Sequence, residues 1–251
     1  MVLQKPARAC PSGLVRSFSK ARSRICRIRS RVTPARLPLF PLPLVLFPGA
    51  KLPLHIFEQR YRCMLADCLS GSRQFGIVCR QDGRPDHALS PGTVGCVAQI
   101  ETCETLPDGR ANITVTGGDR FALERIVMTG EPYLVGDLAP YTDLAEPGAL
   151  LGDLARDSYT LFARVATAAR AIADDSSTPI DLPSDPAQLA FTIASLVELD
   201  LDARQALLRS RSPAARLRDI LSLLEPAAPA LEHRAAVHAR ARTNGHGSHT
   251  A

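Results

Sequence analysis

The sequence contains no tryptophan, and aromatic residues make up only 5% of its 251 residues. Aliphatic side chains must therefore fill the core, and a hydrophobic content of 45% is normal for a globular protein. No apolar run reaches the roughly 18 residues that span a bilayer, and prolines interrupt the longest candidate, residues 37–48. The N-terminus also lacks the compact apolar stretch of a secretory signal. We therefore expect a cytoplasmic protein that does not bind membranes.

Acidic residues are absent from residues 1–36, which hold ten of the 30 Lys and Arg residues. The rest of the chain has 20 basic and 25 acidic residues, so the basicity belongs to the arm and the body is mildly acidic. We interpret residues 1–36 as a disordered basic extension. A transit peptide for organelle import and an arm that grips RNA or anionic lipid are the alternatives. The body lacks the clustered basic residues that bind phosphates, so we do not expect nucleic acid as its partner.

The motifs of common enzymes are missing as well. There is no G-x-x-x-x-G-K-[ST] phosphate loop, no G-x-G-x-x-G turn after a strand and no G-x-S-x-G nucleophile elbow. His55 lies near Glu58 and Arg60, but no nucleophile or carboxylate pair accompanies it, so a polar cluster explains all three residues. We therefore expect no enzyme activity, no catalytic residue and no cofactor.

Cysteine spacing argues against a metal site. The seven cysteines form an odd set without C-x-x-C spacing, which favours reduced thiols in a cytosolic compartment. Cys63 and Cys68 lie five residues apart on a predicted helix, about 140° around its axis, which suits a shared metal poorly. Cys96 is expected on the apolar side of its strand, where a thiol acts as a small hydrophobe. We expect no metal ligands.

Residues 37–142 carry the signals of short strands around one helix. Prolines interrupt Leu37–Pro48, and we interpret it as an edge segment because proline cannot donate to a central ladder. Apolar residues three or four apart in His55–Ser70 predict a helix that ends at Gly71. Pro107–Arg110 predicts a turn. Five further extended segments complete a small, closed or nearly closed β-structure: 75–80, 94–100, 113–115, 121–128 and 133–140.

After Thr142 the apolar period becomes that of helices. Leu150–Ile172 predicts one long helix, and Asp185 and Pro186 begin a second, with proline in its first turn. A short helix follows around residues 203–208. Ser212 and Pro213 begin the last, whose apolar stripe ends at Leu224. Four helices with short connections predict a bundle over residues 143–225. Residues 226–251 are expected to form a frayed, disordered tail.

A set of short segments runs from residue 37 to about residue 225, and the first is long and specific: Leu37–Leu42, Leu46–Gly49, Leu52–Glu58, Arg60–Arg62, Asp108–Arg110, Gly118–Phe121, Pro132–Tyr133, Leu189–Ala190, Ile193–Ala194, Leu207–Leu208 and Arg216–Leu217. Taken in this order, they resemble the N-terminal domain of Lon proteases. The resemblance implies an α+β fold, with a PUA-like β pseudo-barrel and one helix over residues 37–142, followed by a small helical bundle. It also implies recognition of protein substrates. No ATPase or peptidase module follows, so the sequence resembles stand-alone proteins with only this domain.

From this resemblance and the missing catalytic motifs, we expect a non-catalytic module that binds unfolded or degron-bearing polypeptides. An adaptor role beside a separate protease fits this function. The alternative is an RNA-binding PUA-like protein. An apolar groove is the expected binding surface, with the proline-rich first strand and the loop from Gln81 to Gly92 as its rims. The candidate contact residues are Leu46, Phe47, Leu54, Phe57 and Tyr61.

Overall fold

The computed structural model describes residues 36–80, 89–175 and 180–245, with side chains up to residue 241. These residues form six strands, β1 (Arg36–Leu42), β2 (Lys51–Ile56), β3 (Gln74–Cys79), β4 (Val94–Thr105), β5 (Ala111–Val127) and β6 (Leu134–Pro140). They also form five helices, α1 (Gln59–Ser70), α2 (Gly148–Ile172), α3 (Pro186–Leu196), α4 (Leu201–Arg209) and α5 (Pro213–Gly245). None of these helices is long and apolar enough to cross a bilayer. Residues 1–35 of the basic extension lie outside the described residues.

A single long strand, β5, organises the sheet. The strand order is β2-β5-β4-β3-β1-β6, and β5 also pairs with β6. One side of β5 pairs with β4, while the other side pairs first with β2 and then with β6. The pairing of β5 with β6 closes a five-stranded barrel, and β2 is added outside the closure. The predicted α+β fold, a closed β-structure followed by helices, is confirmed.

The prediction that the proline-rich first segment is an edge strand was wrong. β1 pairs with β6 through Arg36–Leu39 and with β3 through Leu39–Leu42, so it lies inside the sheet. Each half of β1 has one ladder partner, so Pro38 and Pro41 need no N–H on their unpaired side. A proline therefore prevents pairing on one side of its own half of the strand, but it does not force the whole strand to the edge of the sheet.

The open edge belongs instead to β2, which sequence patterning did not predict. The predicted helix began at His55, but α1 begins at Gln59 and His55 lies in β2. Leu52, Leu54 and Ile56 alternate with exposed residues, which is the period of a strand. The two segments predicted at 113–115 and 121–128 are one continuous strand, β5.

The interior of the barrel contains both aliphatic and aromatic side chains, and α1 packs against it. Tyr61, Met64 and Leu65 of this helix pack with Phe40 and Phe75 in one buried cluster. The rings of Phe40 and Tyr61 lie 4.1 Å apart between centroids. α1 ends at Ser70 and is capped by Gly71, the residue that the sequence predicted as its cap. The helix is therefore part of the barrel core.

The helical part is built on two parallel helices, α2 and α5. Glu146, just before α2, accepts a hydrogen bond from the Ala214 N–H at 2.7 Å at the start of α5. Farther along both helices, Arg164 pairs with Glu232 at 2.8 Å. The first contact joins the starts of the two helices and the second joins residues farther along both. The two helices therefore run side by side in the same direction. α3 packs against both.

The prediction of a disordered tail from residue 226 was wrong over the part that the structure describes. α5 continues to Gly245, with Pro226 and Pro229 inside it. Ala228 is fully buried and Leu231 packs against the helical core, so contacts with α2 stabilise the helix beyond the prolines. Tertiary packing here outweighs the low helix propensity of proline.

A buried charge cluster joins the barrel to the bundle. Arg120 of β5 and Arg216 of α5 both pair with the carboxylate of Asp143. Arg216 donates to its two oxygens at 2.6 and 2.7 Å. Arg120 also donates to the backbone carbonyls of Leu208 and Ser210 at 2.7 and 2.6 Å. Burial lowers the pKa of Arg120, and Asp143 opposes that shift. These contacts hold the two parts in one orientation.

Candidate functional site

Phe57, the most exposed Phe or Tyr among the described residues of the barrel, lies at the corner between β2 and α1. β2 ends with Ile56 buried in the core, and the next residue, Phe57, is 60% exposed. Its ring stacks at 6.1 Å on the ring of His55. Because side chains alternate between the two faces along the strand, the burial of Ile56 directs Phe57 to solvent.

A cleft of about 290 Å³ opens beside this corner, between the start of α1 and the loop that joins β5 to β6. Met128 in that loop is 93% exposed. Gly130 turns the loop with a φ of 82°, a backbone conformation that favours glycine. Apolar side chains dominate the walls of the cleft, among them Tyr61, Ile126, Val127, Met128, Pro132 and Leu134.

The base of the loop is fixed to α1 by a hydrogen bond. The hydroxyl of Tyr133 donates to the carboxylate of Asp67 at 2.7 Å. Burial, and then this hydrogen bond, raise the pKa of Tyr133, so its hydroxyl stays protonated and donates at neutral pH. The cleft is therefore preformed on one side, while the tip at Met128 is exposed.

Phe57 lies near the cleft. It is three positions before Arg60, which lines the cleft, so the Cα atoms of the two residues lie within about 11 Å. We call Phe57, Arg60, Met128 and Pro132 the corner surface. Its basic residue, Arg60, pairs with Glu58 at 2.8 Å and lies 4.4 Å from the ring centre of Tyr61. The corner surface is thus apolar, without a stripe of positive charge.

β2 supplies a second feature next to Phe57, an open strand edge. Among the described strands, β2 pairs only with β5. Leu52 and Leu54 are half-buried against the core of the barrel, while Lys51, Pro53 and His55 are exposed. The edge runs directly into the corner surface, because Phe57 follows Ile56 in the chain.

The predicted contact residues separate into two groups. Leu46, Phe47 and Tyr61 are buried, and the ring of Phe47 stacks at 5.8 Å on Phe191 between barrel and bundle. These three side chains support the fold. Leu54 and Phe57 lie at the open edge and the corner. Of the two predicted rims, the first strand lies inside the sheet, and residues 81–88 of the loop lie outside the described residues.

Sequence patterning placed a break between the segments 121–128 and 133–140 but did not identify Met128 as a contact residue. Gly130 and Pro132 mark a turn there but not the exposure of their neighbours. Exposure depends on how the loop packs against α1, which is distant in sequence. The spacing of apolar residues along the chain does not reveal the contact between this loop and α1.

The residues weighed for chemistry show no catalytic arrangement. His55 has the side chain of Asn112 as its polar neighbour, with Nδ1 at 2.7 Å from Oδ1. Glu58 pairs with Arg60. Burial raises the pKa of the Cys68 thiol to about 12 and that of Cys96 further, so both stay protonated and are poor nucleophiles. Across residues 36–80, 89–175 and 180–245, no group of His, Cys, Asp or Glu could hold a metal ion.

Comparison with known proteins gives a consistent picture. A family model described as "ATP-dependent protease La (LON) substrate-binding domain" matches residues 36–226. The Lon protease of Roseiflexus castenholzii is 29% identical over 194 residues, which cover 76% of this chain and 24% of that protein. The Lon protease of Cytophaga hutchinsonii is 26% identical over 220 residues, with 84% and 26% covered. The chain thus spans about a quarter of the length of these curated relatives.

Solved structures show the same fold. A crystal structure of a Lon N-terminal domain protein from Xanthomonas campestris matches with a TM-score of 0.52 and 27% identity, covering 74% of this chain and 97% of that one. The N-terminal domain of the Mycobacterium avium complex Lon protease matches with a TM-score of 0.60, covering 76% of this chain and 98% of that one. At 18% identity, the second match supports the fold alone.

Proposed function

This chain belongs to the Lon substrate-binding domain family, and from that premise we propose that it binds unfolded or degron-bearing polypeptides through the corner surface. The family supplies the class of function, which is binding of protein substrates in proteolysis. The observation that carries the proposal for this chain is the exposure of two large apolar side chains, Met128 on the wall of a largely apolar cleft and Phe57 three positions before Arg60 of the same cleft. The domain binds without catalysis and delivers its ligands to a separate protease.

Exposed apolar side chains on a folded domain suit a ligand that lacks a fixed structure. Unfolded segments expose apolar residues that a folded protein buries, and contact with Phe57 removes those residues from water. Methionine is flexible and polarisable, so Met128 adapts to side chains of different shape. Such a surface recognises exposed apolar character in many sequences rather than one motif.

The charges of the corner surface favour a polypeptide over RNA. Its arginine, Arg60, is paired with Glu58, and Glu131 lies exposed on the rim of the cleft. RNA binding requires several basic side chains and weakens steeply between about 50 and 200 mM salt. Apolar capture is expected to change little over that range.

The test is a titration of the full chain with a fluorescent, permanently unfolded polypeptide and with a short single-stranded RNA, at 50 and 200 mM salt. We expect polypeptide binding that is nearly independent of salt. The Phe57→Ser and Met128→Ser variants should each weaken it by about 1–2 kcal/mol, or five- to thirtyfold in Kd. Tyr159→Ser is the matched control, because Tyr159 is an aromatic residue of similar exposure on α2.

Three results would contradict the proposal. The first is tight, salt-sensitive RNA binding without polypeptide binding, which supports the RNA-binding alternative. The second is an equal loss of affinity in the Tyr159 control. The third is polypeptide binding that neither corner variant changes, because the contact surface would then lie elsewhere.

A further inference from the structure

We propose that the bound polypeptide adds to the open edge of β2 as an extended strand, and that Pro53 sets the number of backbone hydrogen bonds it makes. This inference rests on the proposed function and specifies the class of ligand: a segment with apolar residues at alternate positions. It adds a backbone contact to the side-chain contacts of the corner surface.

The direction of the backbone groups in β2 follows from its first ladder contact. The Gly117 N–H of β5 donates to the carbonyl of Ala50, the residue just before β2, at 2.8 Å, so the Ala50–Gly117 pair lies at a hydrogen-bonded position of the ladder. In an antiparallel ladder, hydrogen-bonded pairs alternate with pairs that do not bond. The register continues from Lys51 opposite Thr116 without a shift. The residues that bond to β5 are therefore Leu52, Leu54 and Ile56, and those whose N–H and C=O groups point to the open edge are Lys51, Pro53 and His55.

Proline occupies one of the outward positions. Pro53 has no N–H, and its loss from the outer side leaves the ladder with β5 intact. The open edge thus presents three carbonyl acceptors and two N–H donors, those of Lys51 and His55. An edge with a missing donor pairs less strongly with other sheets, which suits a surface that must release its ligands.

The side chains of β2 define the pattern of the added strand. Leu52 and Leu54 continue the apolar cluster of the barrel to the edge. The opposite face of β2 carries Pro53 and His55, which together with Glu104 and Asn112 line a shallow depression of about 390 Å³ with both polar and apolar walls. A strand beside β2 places alternate side chains on these two faces. Its apolar residues contact the leucines, its polar residues meet the depression, and one end reaches Phe57.

The experiment measures fluorescence anisotropy of a labelled peptide of alternating valine and threonine, with lysines at its ends, against the full chain. Pro53→Ala restores the missing outer N–H and is expected to tighten Kd roughly two- to tenfold, the effect of one net hydrogen bond. His55→Pro removes an outer N–H and is expected to weaken Kd by a similar factor. His55→Ala is its control, because it removes the imidazole and keeps the N–H.

A second measurement does not depend on how well His55→Pro folds. Two peptides carry N-methyl groups on either odd or even residues, so that each lacks the N–H groups of one edge. The wild-type chain is expected to bind them with clearly different affinity, because only one edge of the peptide faces β2. Equal affinity would overturn the inference.

The remaining outcomes separate this inference from the proposed function. Equal affinity of wild type, Pro53→Ala and His55→Pro would overturn strand addition but leave capture by the corner surface intact. If the wild type binds neither the peptide nor the unfolded polypeptide, the proposed function is overturned as well. Dimers of the Pro53→Ala variant in light scattering, without peptide binding, would assign the edge to a second copy and also overturn the inference.

Discussion

Replacing Asp143 with asparagine is expected to destabilise the junction between barrel and bundle. The carboxylate of Asp143 is the shared acidic partner of Arg120 and Arg216, and Arg216 is 0% exposed. Asparagine has nearly the same shape, but it removes the negative charge and turns an amide NH2 group toward a guanidinium. Two buried positive charges would then face each other with backbone carbonyls as their remaining acceptors.

The expected magnitude follows from burial. Removing one partner of a buried ion pair costs about 3–5 kcal/mol. The side chain of Asp143 is itself 25% exposed, so solvent partly screens the change and the lower end, about 3 kcal/mol, applies. For a chain of this size, that loss lowers Tm by about 6–12 °C. Urea unfolding followed by circular dichroism measures the free energy, and calorimetry measures Tm.

Asp137→Asn provides a matched control. Asp137 also pairs with two arginines, Arg36 at 2.7 Å and Arg125 at 2.6 Å, but both arginines are exposed. The hydrogen bond from Arg36 is the main cause that lowers the pKa of Asp137, yet exposed pairs contribute little to stability. Asp137→Asn should therefore remain close to the wild type. Equal losses in both variants, or wild-type stability of Asp143→Asn, would refute the role assigned to burial.

Three further predictions concern the fold. Removal of residues 226–251 is expected to cost about 2 kcal/mol and to lower Tm by about 4–8 °C, because Ala228 and Leu231 lose their contacts with the helical core; an unchanged Tm would show that the end of α5 is dispensable. Gly117→Ala should destabilise the folded protein by about 1–3 kcal/mol in urea unfolding, because the new Cβ would lie 2.0 Å from the Phe47 carbonyl oxygen. Gly148→Ala is the control and should leave the stability unchanged, because the space around Gly148 is open. Hydrogen bonds from Ser212 and then Ala214 lower the pKa of Glu146 below its ordinary value of 4.5. The stability that ionised Glu146 gives the fold is therefore complete above pH 4.5 and is lost as the pH falls through the lowered pKa. Glu146→Gln should make acid unfolding less steep, and an unchanged acid transition would contradict this.

The elements with a strong local signal could be predicted from the sequence. The turn at Pro107–Arg110 joins β4 to β5, and its Gly109 has a φ of 80°, which glycine tolerates. Asp185 caps α3 through the Ala187 N–H, with Pro186 in the first turn. These features depend on neighbouring residues alone, because caps and turns form within a few positions of the chain.

The candidate site was only partly predictable, because exposure depends on contacts between distant residues. Phe57 and Tyr61 are both aromatic residues of one motif, four positions apart, yet Phe57 is exposed and Tyr61 is buried. The chain direction changes between them as β2 gives way to α1. A helical period across both residues predicted the same environment for each, which is wrong for Phe57.

By itself, the sequence determined the family, the order of most strands and helices, and the closed α+β architecture, because alternation, helical period and turn residues act locally. The tertiary structure decided which strand has an open edge, since pairing joins residues up to about a hundred positions apart, such as Leu37 with Gly136. It also decided that α5 continues past Pro226, because burial of Ala228 and Leu231 stabilises a helix that local propensity disfavours. The proposed contact surface likewise joins parts that are distant in sequence, the start of α1 and the β5–β6 loop, and this contact leaves no periodic pattern in the chain.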